Sequence, residues 1–433
     1  MTATLILVAL VALLFTGVPI FAGLTLFGAA LMAWHQSGPL PVAEVFFGEI
    51  SRYLLVTIPL FTFMAHVMIR GRIVDDLYGT AYTLTRHLPG GLGVATIIAC
   101  TIFAAISGSS VATALTIGAV AIPQMERFGY DPKVAYGLVA AGGTLGILIP
   151  PSGPMVLYGM ISETSIGGLF MAGVLPGLMM AGIFIVWIMA STRWGGEQSR
   201  HIRREPRASL TEMLAALRKS FWAFMLPTVV LGGMYAGVFT ATEAAAAGAL
   251  AAMLVAMLIY RSVGPRGLWE AALDASRTSA MLFMIVAGAS VFAHVITDLR
   301  IPQQIVQGVI ALNIGKYGFL IGMMGVLLVL GMFLESIAII LVSTPVILPV
   351  LHSLQIDTIW YGILLTINLE LALIHPPVGM NLFTIKAIAR GATMGQIALG
   401  ALPYVALLIL GLALVMIWPE IALWLPHRTL NLG

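Results

Sequence analysis

Gly146-Ile-Leu-Ile-Pro-Pro-Ser-Gly-Pro-Met155 interrupts an apolar helix in the interior of a 433-residue chain, and Leu373-Ile-His-Pro-Pro-Val-Gly-Met-Asn381 interrupts another in the same manner. Pro150 and Pro151 remove two backbone donors and bar the α conformation upstream, so carbonyls near Ile147 to Ile149 lose their helical partners. In hydrocarbon each orphaned carbonyl is costly. Irregular backbone at that depth survives only against protein, water or a bound ion, and helices broken at matched places in two halves mark a transport site.

Composition places both breaks inside a membrane. Hydrophobic residues make up 60% of the chain and charged residues 9%, with a mean hydropathy of +1.03. No soluble domain has that balance. The net charge of +3 is spread over short loops rather than one face, so it reports topology and not a nucleic-acid partner. A single cysteine, Cys100, excludes an intrachain disulfide. The N-terminus lacks a basic region ahead of its apolar run and reads as a multi-pass membrane segment rather than a cleaved signal.

The first apolar segment, 3–34, contains Gly17-Val-Pro19 and forms either one kinked span or two pieces. A polar stretch, 35–41, leads to a second segment over 42–69, then Arg70, Arg72, Asp75 and Asp76, and a surface helix over 78–87. The block 91–123 holds Ser107-Gly-Ser-Ser110 at its centre. Each half is ~16 residues, or ~24 Å of helix, so a hairpin turning at the serines enters a bilayer without crossing it. Ordinary spans joined by a Gly/Ser turn are the alternative. After the first broken helix and a span over 166–190 comes the one long hydrophilic stretch, 191–220, with Arg193, Arg200, Arg203, Arg204, Arg207, Arg218 and Lys219. Two further spans, 221–239 and 242–260, follow.

The pattern then begins again. A shift of 226 residues lays Ser110 on Ser336, Pro123 on Pro349, Asp131 on Asp357, Pro150 and Pro151 on Pro376 and Pro377, and Gly153 on Gly379. A shift of 227 lays Gly173 on Gly400, and one of 228 lays Ala65-His-Val67 on Ala293-His-Val295. Ordered matches with drifting offsets indicate duplication. With the 191–220 loop in the cytoplasm, every basic residue except Arg52, Arg300, Lys316 and Arg428 falls on that side when the copies are inverted. The predicted fold is therefore an all-α polytopic membrane protein with inverted-topology repeats, two re-entrant hairpins and two broken helices. Its division is 1–41, an N-terminal segment; 42–190, repeat 1, with hairpin 91–125 and broken helix 134–162; 191–277, the basic loop and linking spans; 278–418, repeat 2, with hairpin 316–349 and broken helix 358–390; and 419–433, a tail.

The chemistry of such a site suits sodium, which accepts several neutral oxygen ligands. Ser107, Ser109 and Ser110 facing the backbone of Pro150, Pro151 and Ser152 would make one nest, with Glu335, Ser336 and the backbone of Pro376, Pro377 and Gly379 as its counterpart. Close helix packing by small residues is the bland reading of the same cluster. Ser109, Thr113, Gly153 and Asn381 are candidate substrate residues, Asn381 as an uncharged donor to a carboxylate and the helix ends opening at Ser152 and Val378 as a positive dipole. Glu243 and Glu370 remain unassigned, a structural hydrogen bond being as good a reading as an ion or proton role. His66 and His294 match across the repeats and read as scaffold. His375 is the sharper candidate, though a lone histidine commonly satisfies a backbone carbonyl.

Ala105-Ile-Ser-Gly-Ser-Ser-Val-Ala-Thr113, the two broken-helix strings, Phe239-Thr-Ala-Thr-Glu-Ala-Ala-Ala246 and Asn368-Leu-Glu370 leading into Pro376-Pro-Val-Gly-Met-Asn-Leu-Phe383 together resemble the large permease subunit of tripartite ATP-independent periplasmic (TRAP) transporters, the DctM-like family. The resemblance spans nearly the whole chain. It implies a sodium-coupled importer of organic acids in the bacterial inner membrane, with elevator-type alternating access. It also implies two protein partners, a periplasmic substrate-binding protein and a small membrane permease subunit on a separate chain. His375 stands where the family commonly has threonine, and Ser336 where it commonly has proline.

Two other classes use the same residues differently. An intramembrane serine hydrolase could draw on a hairpin serine and a histidine, yet no nucleophile elbow or His-Glu-x-x-His pair is present and catalysis leaves the duplicated breaks unexplained. A channel of the same architecture lacks alternating access.

Overall fold

The computed structural model describes residues 2–35, 41–71, 73–194, 202 and 205–430. Most of the polar segment 35–41, together with Arg72, Arg200, Arg203 and Arg204, lies outside the described residues. All regular structure among the described residues is helical. The N-terminal segment is two helices, α1 (Thr2–Leu14) and α2 (Ile20–His35), separated at Gly17-Val-Pro19.

The expected single segment over 42–69 is also divided. Helix α3 (Val42–Ile50) ends at Ser51, Arg52 is extended, and a 3-10 turn over Tyr53–Val56 leads into α4 (Thr57–Arg70). The polar run Glu49, Ser51 and Arg52 accounts for the division, because Arg52 turns to pair with Glu49 at 3.2 Å and to donate to Met160 O at 3.3 Å. The presumed surface helix is α5 (Ile73–Thr85), starting earlier than expected and burying Ile73, Leu77, Tyr78 and Ala81. It packs between α6 (Gly91–Ser107) and α11 (Leu210–Tyr235), with Asp75 and Gly79 exposed.

Repeat 1 continues with α7 (Ser110–Arg127), α8 (Pro132–Leu148), α9 (Gly153–Ile161) and α10 (Ile166–Trp194). Then come α11, already placed, and α12 (Ala241–Leu254), which ends in a π-helical turn over Val255–Ile259. Repeat 2 uses α13 (Pro265–Asp298), α14 (Ile301–Ala311), α15 (Lys316–Gly331), α16 (Ser336–Ser353), α17 (Thr358–Ile374), α18 (Met380–Ile388) and α19 (Met394–Ile417). The divisions drawn at 191 and 278 fall inside α10 and α13. The expected tail is a helix, α20 (Glu420–Leu430), folded back on α10 with Thr429 Oγ1 2.7 Å from Met171 Sδ.

Among the described residues, eight helices are long and apolar enough to cross a membrane, including the two-piece unit Pro132–Ile161. Gly91–Ser107 and Lys316–Gly331, the first arms of the two hairpins, fall in the shorter class. At ~1.5 Å per residue, 17 residues span ~25 Å, less than the ~30 Å hydrocarbon core.

The helices sort into two groups by what they touch. One gathers α2, α3 and α4 around α13, with α12 against α4. Gly28 and Gly288 let α2 and α13 approach closely: a methyl group on Gly288 would lie 2.6 Å from Phe21 O. The other group holds both hairpins and both broken helices, with α8 at its centre against α6, α7, α17 and α19. There Gly137 and Gly400 bring backbones into contact, since a methyl group on Gly137 would fall 1.9 Å from Gly400 O.

Candidate functional site

Hairpin 1 closes at Gly108, whose φ of +59° is a left-handed conformation suited to glycine, and Ser109 caps α7 by accepting from Ala112 N at 3.3 Å. The tip is seated on the first break. A methyl group on Gly108 would meet Pro151 O at 2.5 Å, and one on Gly146 would meet Ser109 O at 2.4 Å. Gly143 is just as tight against Ala114. The spacing Gly142, Gly143, Gly146 is thus a small-residue face that receives the hairpin.

Both breaks have one construction. Helix α8 ends in extended Ile149, Pro150-Pro151 is cis, and α9 opens at Ser152. Helix α17 ends in extended His375, Pro376-Pro377 is cis, and α18 opens at Gly379, whose φ is +55°. The hairpin tips correspond as well: Ser109 and Glu335 are the N-caps of α7 and α16. Residues 147–152 are all buried, so the broken backbone faces protein and not lipid, as hydrocarbon requires.

The hydroxyl groups of site 1 are arranged as follows. Ser107 Oγ lies 2.9 Å from Thr113 Oγ1 and 3.4 Å from Ser109 O, and Thr113 Oγ1 donates to Ser109 O at 2.8 Å. Ser152 Oγ donates to Ile147 O at 2.6 Å, so that carbonyl already has a partner. Ser110 Oγ accepts from Asn381 Nδ2 at 2.7 Å, and Asn381 Nδ2 also donates to Ala140 O at 3.1 Å. Asn381 Oδ1 is buried without a hydrogen-bond partner among the described residues. The structure therefore gathers Ser107, Ser109, Ser110, Thr113, Pro151 and Ser152 at the first break. It also brings Asn381, from repeat 2, against the hairpin of repeat 1. At the first break all of these offer neutral oxygens, which suits a monovalent cation and makes no call for a second buried charge.

Site 2 is built differently in detail. Ser336 is buried at the start of α16, Gly331 abuts Ala372 of α17, and Asn368 Nδ2 donates to Met324 O at 3.1 Å. The His375 ring is hydrogen-bonded to Pro376 O, the backbone-satisfying role a lone histidine commonly takes. Phe333 occupies the position equivalent to Ser107, so this tip has fewer hydroxyls.

The remaining polar candidates separate cleanly. Glu243 accepts from the N–H and hydroxyl of Thr240 in a capping box, a structural role. His294 lies 3.5 Å from Asp298. Glu370 is fully buried, and among the described residues neither carboxyl oxygen has a hydrogen-bond partner. Its equivalent in repeat 1 is Thr144, which satisfies itself on Ala141 O at 2.7 Å.

A hairpin seated on a broken helix in repeat 1, with a hairpin and a broken helix of the same construction in repeat 2, defines a polytopic membrane transport protein. Residues 7–421 match the family described as tripartite ATP-independent periplasmic transporter, DctM component, and the chain belongs to that family. It is a transporter permease family and not an enzyme family. The chain is 40% identical over 377 residues to the C4-dicarboxylate TRAP transporter large permease protein DctM of Pseudomonas aeruginosa, covering 87% of each. It is 34% identical to the protein of the same name from Vibrio cholerae, covering 100% of this chain and 99% of the relative. The YdaH transporter of Alcanivorax borkumensis superposes with a TM-score of 0.66 at 14% identity, over 94% of this chain and 98% of that one, a likeness of fold.

Proposed function

We propose that this chain is the large membrane subunit of a sodium-coupled importer of a small organic acid in the bacterial inner membrane. The observation that carries the reading is the seating of the first hairpin on the first break, where Gly108 meets Pro151 O and Gly146 meets Ser109 O. Sodium is a co-transported substrate here. Ser107, Ser109 and Ser110 with the backbone of Pro150, Pro151 and Ser152 hold one ion, and Glu335 and Ser336 with the backbone of Pro376, Pro377 and Gly379 hold its counterpart.

Ser109, Thr113 and Gly153 face the solute, and Asn381 sits behind Ser110. Gly153 is open, with nothing packed within 4 Å of where a side chain would begin. Thr113 is buried and bonded, so it reaches a solute only if its hydroxyl exchanges partners. The C4-dicarboxylate named for both relatives is the substrate class to test first.

Alternating access is elevator-like in this reading. The hairpins and broken helices form the moving body, and α2, α3, α4, α12 and α13 the frame. Two clefts of about 520 and 570 Å³, both bordered by Arg52, lie between frame residues and moving-body residues. A small membrane permease subunit and a periplasmic binding protein complete the machine, the latter supplying capture from dilute solution.

The test is uptake of labelled succinate by proteoliposomes holding this chain, its small subunit and its binding protein under an inward sodium gradient. Accumulation above the outside level is expected. Equilibration without accumulation would identify a channel, and uptake by this chain alone would identify a self-sufficient carrier.

A further inference from the structure

Asn381 is the second residue of α18 and is completely buried. Its amide nitrogen faces both Ser110 Oγ and Ala140 O, and a backbone carbonyl can only accept. The contact with Ala140 therefore fixes which end of the carboxamide is nitrogen. An NH2 group carries two hydrogens, and both are spent on these partners. What Asn381 has left is an acceptor, Oδ1, which no group among the described residues satisfies. Such an atom at membrane depth calls for a ligand that binds lone pairs.

We propose that Asn381 Oδ1 is a ligand of the sodium ion at the first hairpin, so that this site is completed across the boundary between the two repeats. The proposal rests on the sodium reading above. It replaces a donor to the substrate's carboxylate, because no donor remains, with an acceptor for the cation. The geometry allows it. An amide oxygen lies about 2.2 Å from its own nitrogen, which places Oδ1 within about 5 Å of Ser110 Oγ. Two ligands of one cation with metal–oxygen distances of about 2.4 Å can stand that far apart. Ser110 Oγ spends one lone pair on Asn381 and retains another for the ion.

The position is not duplicated. Met155 is the equivalent residue of repeat 1, so this position supplies no matching side-chain oxygen to the second hairpin. Sodium there would tie α7 and α8 to α18, and occupancy of one repeat's site would set the position of the other repeat's break. That tie is a means of coupling the ion to the solute.

Radiosodium binding to the purified full chain, without substrate, tests this with wild type, Asn381→Ala and Asn381→Asp, alongside uptake by the reconstituted complex. Saturable binding by the wild type is expected, with half-saturation raised about tenfold or more in Asn381→Ala. The KM for labelled succinate at saturating sodium should change less than about twofold. Asn381→Asp keeps an oxygen in the place of Oδ1, but its charge and the loss of the donor to Ala140 O alter the site, so its sodium half-saturation should move severalfold from wild type while the KM for succinate changes little; this variant decides the matter if Asn381→Ala does not fold. Sodium curves unmoved in both variants, or a raised KM for succinate with sodium binding intact, would overturn the proposal. Absence of saturable binding in the wild type would overturn the sodium reading itself.

Discussion

Gly146→Ala isolates the contact between hairpin and break. Gly146 is helical, so alanine by itself should stabilise α8 by about 1 kcal/mol. Its methyl group, however, would lie 2.4 Å from Ser109 O and 2.8 Å from Thr113 Oγ1. The nearer obstacle is backbone and cannot rotate away. Overpacking costs about 1–3 kcal/mol, and a rigid obstacle puts this case at the upper end, leaving about 1–2 kcal/mol against the seated tip. At about 1.4 kcal/mol per decade, half-saturating sodium should rise about 5- to 30-fold. The assay is sodium-dependent uptake in proteoliposomes, with surface expression and thermal unfolding measured beside it. Gly182→Ala makes the same substitution where no atom lies within 4 Å, and should leave transport unchanged. If Gly146→Ala transports with a wild-type sodium curve, the tip does not need to sit on the break and the site lies elsewhere.

Replacing Ser109 or Ser110 by alanine should raise half-saturating sodium severalfold with insertion intact, while Ser191→Ala should do nothing; two flat results would make the serines packing residues. In Gly137→Ala the added methyl group would lie 1.9 Å from Gly400 O, so the α8–α19 contact should fail and the protein unfold at lower temperature, whereas Gly232→Ala, with open space, should not. A cysteine at Glu163 should label from outside intact cells and one at Gly267 only after permeabilisation; labelling of both from one side would contradict the inverted arrangement.

The positions of the hairpins and breaks were legible because proline, glycine and serine act locally: Pro150-Pro151 ends a helix wherever it stands, and Gly108 permits a left-handed turn. The repeat offset then placed the second break at Pro376-Pro377 and the second hairpin tip near Glu335. Divisions that depend on tertiary partners were not legible. The turn at Arg52 is held by Met160 O, 108 positions away in sequence, and α20 by its packing on α10. The hydrogen bond from Asn381 to Ser110 spans 271 positions and lies outside the repeat symmetry, so no internal comparison could expose it. Gly142, Gly143 and Gly146 were a visible signal that sequence reasoning passed over; their small-residue spacing announced a close neighbour before the neighbour was known.

The central claim is that the first hairpin and the first break together bind sodium. A cysteine at Gly153 reports on it most directly, since that position opens onto free space beside Ser152 while native Cys100 is fully buried. The measurement is the rate at which Gly153→Cys, in the otherwise unchanged chain, reacts with a membrane-permeant maleimide as sodium is titrated against potassium. Sodium is expected to slow labelling saturably, at the concentration that half-saturates transport, and potassium to have no effect. Equal rates in both ions at every concentration would contradict the account.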